Sequence, residues 1–290
     1  MKWLSPRWRK VLRDLWSNKT RTVLVLLSIA VGVTAIGMVM GSQITVDRNL
    51  PDAYAAVNPA SARVFTINYF DDKMVEAVEA MSEVDQAEAR RMVNVRFLTK
   101  DGDLRSLQLN AIPDYDEIGI NKIRPEAGAY PPPRRQLLIE RASLTPSLGL
   151  GGFEIGDTLM VESPSGKQRE LHIAGTVHDM SQLPAFMNGA GYGYITFDTL
   201  EWLDEPRDYN ELVFSVAENK LDEDHINEVG KLIEKRMESS GVNVIFTLVF
   251  PPGEHPAQNF LDAFSLILGA IGILSLLLRS SPKGNKTLKK

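Results

Sequence analysis

Two stretches decide what this chain can become. Thr22 to Gln43 carries no charged residue, and Phe260 to Leu278 carries only Asp262, near its beginning. At about 1.5 Å of helical rise per residue, each is long enough to cross a hydrocarbon core of about 30 Å. A backbone in hydrocarbon must satisfy its own hydrogen bonds, so both are expected as transmembrane helices, one over 22–43 and one over 259–278. Residues 44–258 are then a domain held between two spans.

Charge sets the orientation. Lys2, Arg7, Arg9, Lys10, Arg13, Lys19 and Arg21 stand against Asp14 alone before Thr22, while Arg279, Lys283, Lys286, Lys289 and Lys290 follow Leu278 with no acid. The formal net charge of −5 thus divides into +6 ahead of the first span, +5 behind the second and −16 between them. Basic flanks stay cytoplasmic, which leaves 1–21 and 279–290 inside and the acidic middle outside, in a multi-pass protein of the cell (inner) membrane. Within 1–21, Trp8, Val11, Leu12, Leu15 and Trp16 recur at helical spacing among basic residues, the pattern of an amphipathic helix lying on membrane lipid. Ser28/Gly32 and Gly37/Gly41 are small-xxx-small pairs that would let another helix approach closely. A cleaved leader is the rival reading of the first span, with Ala53-Tyr54-Ala55 as its site. Its basic region and apolar run are too long for that, and the alanines lie too far downstream. Asp262, within one turn of the outer end, reads as an interfacial carboxylate.

The same numbers exclude partners and chemistry. A domain of net charge −16 repels a phosphate backbone, so nucleic acid is not an expected partner. The chain has no cysteine, which removes disulfides and thiolate chemistry and leaves the outer domain to be held by burial and hydrogen bonds.

Inside 44–258 the pattern is α+β. Val64 to Asn68 alternates as a strand, and Asp71 or Asp72 is placed to cap a helix reaching Met81 whose apolar face is Met74, Val75, Val78 and Met81. Met92–Thr99 and Leu104–Ile112 read as a hairpin through Lys100-Asp101-Gly102-Asp103, with Pro113 closing the unit. Asp114 to Pro133, rich in proline, reads as a connecting loop. Gln136–Glu140, Thr158–Ser163, Glu170–Asp179 and Gly193–Phe197 read as strands, with Ser165-Gly166 turning the second into the third. Glu211–Ala217 then reads as strand, Asp222–Ser240 as helix with Gly241 at its C-terminal cap, and Val242–Leu248 as strand. The expected architecture is an α+β lobe from 63–113 and 205–250 with a mostly-β lobe, 114–204, inserted in it.

Nothing in this sequence reads as a catalytic centre. The five-before-glycine test of a phosphate-binding Gly-Lys loop fails at Gly166-Lys167, where Val161 occupies the first position. Gly189-Ala190-Gly191-Tyr192-Gly193 precedes a strand where a dinucleotide site needs strand-turn-helix, and so reads as a loop or bend. His172, His178 and Asp179 are the one conceivable metal set, but Gly175 interrupts the strand and spacing fixes no third ligand. His225 in a helix start and His255 in a Pro-rich loop read as solvated, and the acidic groups Asp114/Asp116/Glu117 and Asp222/Glu223/Asp224 as a loop and a helix start. No Gly-x-Ser-x-Gly elbow occurs. No catalytic, cofactor-binding or metal residue is assigned, and substrate-binding residues are not identified.

The order of segments is the specific signal. Leu12-Arg13-Asp14-Leu15-Trp16-Ser17-Asn18-Lys19-Thr20-Arg21-Thr22 leads into Leu27-Ser28-Ile29-Ala30-Val31-Gly32. Gly156-Asp157 precedes a strand, Ala174-Gly175-Thr176-Val177 lies in one, and Gly272-Ile273-Leu274-Ser275-Leu276-Leu277-Leu278 fills the second span. In this order the chain resembles the N-terminal half of a MacB/FtsX-like permease, the membrane subunit of an ABC transporter. The resemblance runs to Leu278; at Arg279 family members continue into a coupling segment and two more spans. It implies a membrane-proximal porter-like lobe with an inserted sabre-like lobe. It implies as partners an ABC ATPase subunit, a second permease half or subunit in a homo- or heterodimer, and membrane lipid. It implies no enzymatic activity and no cofactor in this chain, and export or extraction of lipid, lipoprotein, peptide or drug as the work. The alternative is an envelope sensor or binding domain on two anchors, without transport.

Overall fold

A computed structural model describes residues 50–280, with side chains as far as 271, and scattered positions between 16 and 41. It divides into two units, Leu50–Ala257 and the segments flanking it. In the first unit, β1 (Ala62–Phe70), α1 (Asp72–Glu79), β2 (Val84–Leu98), β9 (Tyr209–Val216), α4 (Glu223–Ser239) and β10 (Val244–Val249) make an antiparallel sheet ordered β10-β1-β9-β2. Each helix connects two strands that have a third lying between them, a doubled split βαβ unit. Alternation decides which face the helices cover. Ala62 and Val64, Ala87 and Ala89, and Leu212, Phe214 and Val216 are apolar and buried, sharing a core with Val78 of α1 and Ile226, Val229, Ile233 and Met237 of α4. Asp222 caps α4 by accepting from the Asp224 and His225 amides. Gly241 follows at φ +85°, the left-handed position that ends the helix. Asp71 stands at the N-cap of α1 but accepts no capping hydrogen bond, contrary to the sequence expectation.

The remainder is a closed barrel. β3 (Leu104–Ile112), β5 (Gln136–Glu140), β6 (Thr158–Glu162), β7 (Gln168–His178) and β8 (Gly191–Thr196) join the second half of β2 in the ring β2-β3-β8-β5-β7-β6-β2. Phe97, Leu107, Leu109, Leu137, Ile139, Leu159, Val161 and Leu171 are fully buried, as a small barrel filled by side chains requires. β2 belongs to both parts: Val84–Arg90 pairs with β9 and Arg91–Leu98 with β3. The sheets therefore divide within one strand, where the sequence pattern had placed the break at Pro113.

Two segments differ from the sequence expectation. Part of the expected loop 114–133 is a strand, β4 (Arg124–Gly128), exposed along its length and paired only with β7. It approaches closely enough that a Cβ on Gly128 or Gly175 would meet the opposite backbone at 2.2 or 2.4 Å. The expected loop at Gly191 is already β8. Short helices α2 (Ala185–Asn188) and α3 (Phe197–Trp202) follow β7 and β8.

In the second unit α5 (Gln258–Ser280) is a helix of 23 residues. Among the described residues no helix is long and apolar enough to cross a membrane. Most of 22–43, the amphipathic helix and the pair Ser28/Gly32, with the tail from 281, lie outside those residues.

Candidate functional site

The face of the open sheet turned away from its helices is charged, and Arg63, Arg90 and Glu211 on it are buried. Alternation puts Arg63 of β1, Glu211 of β9, and Glu88 and Arg90 of β2 on it. Arg63 donates from Nε to Glu211 Oε1 at 2.6 Å, with the Glu211 side chain wholly buried and that of Arg63 nearly so. Burial alone would weaken the Arg63 cation, but the Glu211 carboxylate beside it holds its pKa above the ordinary value. Arg90 donates to the carbonyls of Ile120 at 2.8 Å and Asn121 at 3.3 Å, while Glu88 accepts from the Gly119 and Ile120 amides at 2.6 and 2.8 Å. The strand face is thus a rack of charges on which residues 119–121 are laid, and that segment is tied in turn to 57–60. The Asn121 and Lys122 amides donate to the carbonyls of Asn58 and Val57, and the Asn121 side chain accepts from the Ala60 amide.

The barrel meets this face through the end of β7. Asp179, buried, accepts from the Ser181 amide and hydroxyl at 2.8 and 2.6 Å and from Tyr194 Oη at 2.7 Å. Burial, then the Asp179 carboxylate, pushes the Tyr194 phenol well above its usual range. Gln182 lies 3.4 Å from Arg63, so the polar row passes from the sheet into the barrel. Both chain ends of the domain arrive here too. Tyr54, Val57 and Met180 form a small buried cluster, and the His255 ring meets the Tyr54 ring edge-on with centroids 5.4 Å apart. His255 is half-buried and its Nδ1 accepts from the Ala257 amide at 3.1 Å. The sequence expectation of a solvated loop histidine is corrected: the turn folds it inward between the two chain ends.

The other sequence candidates are kept apart. His172 is exposed, with Nδ1 2.7 Å from Thr158 Oγ1. His178 faces Glu140 Oε1 at 3.5 Å and Arg141 at 3.1 Å. Asp179 turns to Tyr194 instead, so the conceivable metal set does not converge, and no group of three ligands gathers among the described residues. Burial lifts the Glu140 carboxyl to about 7 against the pull of the Ala142 amide. A raised acid favours the folded state while neutral, so that contribution is present below the ordinary carboxylate pKa and lost as pH rises through about 7. Gly191 and Gly193 lie inside β8, where a Cβ would strike Leu150 at 2.6 Å and Leu109 at 2.8 Å, so they serve packing. His225 starts α4, and Asp262 is exposed and accepts from Gln258 at 3.1 Å.

Two further features were illegible in the sequence. Arg91, where β2 passes from sheet to barrel, lies 3.7 Å from the centroid of Tyr69 and bonds Glu205 at 3.2 Å, leaving Nε and Nη1 buried without partners. A cleft of about 320 Å³ opens between β10 and the loop after β7, lined by Phe65, Leu183, Tyr192, Phe246, Leu248 and Arg63. Among these residues no nucleophile stands beside a base. Chemically, the face fastens sheet, barrel and both chain ends together.

Solved structures similar to this chain are extracytoplasmic regions of ABC-type transporter permeases. The extracellular domain of the ABC-type transporter YknZ from Gram-positive bacteria matches with 13% identity over 64% of this chain and 100% of that one, at a TM-score of 0.42. The periplasmic region of MacB from Actinobacillus actinomycetemcomitans matches with 9% identity over 74% of this chain and 95% of that one, at 0.39. No family model and no curated protein matches the sequence.

Proposed function

We propose that this chain is a membrane subunit of a MacB/FtsX-like ABC transporter, corresponding to its N-terminal half. Residues 22–43 and 259–278 anchor an extracytoplasmic domain in the inner membrane. A partner ATPase supplies the energy that moves this domain, and export or extraction of lipid, lipoprotein, peptide or drug is the class of work. A second permease half or subunit completes a dimer. The chain itself carries no catalytic residue and no cofactor.

One observation carries this reading: the two ends of the folded domain leave from one place, at the contact of Tyr54 with His255. Two flanking segments that start side by side can enter the same face of a bilayer, and the basic charge beyond each of them sets the same orientation twice. The polar face joins both ends of the folded domain to its sheet and barrel, which is what a body that transmits motion requires. The cleft beside β10 supports the second reading, a two-anchor binding domain, since its volume of about 320 Å³ is that of a small ligand site.

The absence of cysteine allows a direct test of topology. Single cysteines at Ser17, Ser165 and Ser281 are placed in otherwise unchanged chains and treated with a membrane-impermeant maleimide on intact spheroplasts. Ser165→Cys is expected to label before lysis, and Ser17→Cys and Ser281→Cys only after it. Labelling of either terminal position on intact spheroplasts would refute the two-span arrangement.

A further inference from the structure

Among the described residues the strand order ends on β10 at one side and on β4 at the other. β4 is blunted as edge strands usually are: Arg124 and Glu126 carry charge, Pro125 withholds an N–H, and the register shifts between Pro125 and Ala127. β10 shares one register shift with β1 and has no other such device. Its residues Val244-Ile245-Phe246-Thr247-Leu248-Val249 include no charge and no proline, pair only with β1, and leave Ile245 56% and Phe246 49% exposed. Among the described residues no backbone bond reaches the outer N–H and C=O groups of β10. The cleft of about 320 Å³ lies beside this same edge, and the alternate residues Phe246, Leu248 and Phe250 line it. We infer that β10 and its cleft are a strand-addition site: an extended segment of another protein pairs with the free edge and sets every second side chain, apolar, into the cleft.

Geometry and charge together select the partner. A strand laid on β10 places its side chains about 4.5–5.5 Å from their cross-strand neighbours, so those on the cleft side meet Phe246 and Leu248. Across the cleft Leu183 adds apolar surface, and Gln182 and Tyr192 bring hydrogen-bonding groups. The stretch between the basic flanks of the chain carries a net charge of −16, and Glu234 of α4 reaches β10 from the other face, accepting from Thr247 Oγ1 at 2.6 Å. A second copy would bring an equal negative charge against this one, whereas a segment with basic residues outside its apolar core is drawn in. The partner is therefore a different protein whose exposed segment alternates apolar residues and is flanked by lysine or arginine. Backbone pairing supplies the affinity and the cleft supplies the selection. The site needs only the folded domain, so its failure would leave the transport reading untouched; for the two-anchor reading it names the ligand class of the cleft.

The test uses the full chain in nanodiscs of zwitterionic lipid, with empty discs as the blank. The probe is a blocked fluorescent peptide, Lys-Lys-Thr-Val-Thr-Leu-Thr-Val-Thr-Lys-Lys, followed by anisotropy, and saturable binding is expected. Two N-methylated forms, one for each alternating set of amides in its core, separate strand pairing from adsorption. One set faces β10, and its methylation should weaken binding at least about tenfold; the other faces away and should leave binding within about threefold. Phe246→Asp removes apolar surface without repelling the basic peptide and should weaken binding at least about tenfold. Leu221→Asp, at an exposed leucine outside the cleft, should leave it unchanged. No saturable binding, equal loss with both methylated sets, or unchanged binding in Phe246→Asp would each overturn the inference. So would Ile245→Cys chains that disulfide-link to one another and exclude the peptide, which would give the edge to a second copy.

Discussion

Replacing Arg63 with methionine is expected to destabilise the domain by about 3–5 kcal/mol, because it leaves Glu211 charged and wholly buried with its partner gone. The second Glu211 oxygen already has no hydrogen bond, so no other donor stands ready to take over. Removing both charges is a different experiment. In Arg63→Met with Glu211→Leu the face becomes apolar, and most of the loss should return, since a buried pair is worth little against hydrophobic residues of similar volume. Denaturant unfolding of both variants measures this. A double variant as unstable as Arg63→Met would show that the pair stabilises by more than mutual neutralisation.

Phe214→Ala is expected to cost a similar amount, about 3–5 kcal/mol, through a different cause. Phe214 is fully buried on the helix side of β9, with Ala62 and Ala87 opposite it on the neighbouring strands. Those small partners cannot fill the cavity that truncation leaves. Leu221→Ala, 77% exposed, is the comparison and should lie within about 0.5 kcal/mol of the parent. Because β2 is continuous through sheet and barrel, Phe214→Ala should shift one common unfolding transition. A barrel that unfolds later, unaffected by the change, would contradict that coupling.

Legibility followed where the signal was local. The Asp101-Gly102 hairpin, the helix from Asp222 and the strand Gln136–Glu140 were readable because a turn residue, a cap or an apolar run specifies each without help from distant residues. Val84–Arg91 was not readable as strand: Asp85, Gln86, Glu88, Arg90 and Arg91 look like a solvated segment, and although Asp85 and Gln86 do stay exposed, the cover of 119–121 buries Arg90 and that of Tyr69 and Glu205 buries Arg91. β4 escaped for the opposite reason, having no buried side chain and existing through backbone pairing across Gly128 and Gly175. Arg63 and Glu211 were invisible as a pair because 148 residues separate them. His255 needed the three-dimensional meeting of the chain ends to become more than a histidine among prolines.

The proposed function requires that this domain be a moving part driven by an ATPase bound elsewhere on the permease. The most direct measurement is affinity purification of the tagged full chain from native membranes in mild detergent, with identification of co-eluting proteins and assay of ATP hydrolysis in the eluate. Recovery of an ABC ATPase together with a second permease half or subunit is the expected result. A folded, membrane-inserted chain that elutes with neither would contradict it and leave the two-anchor binding domain.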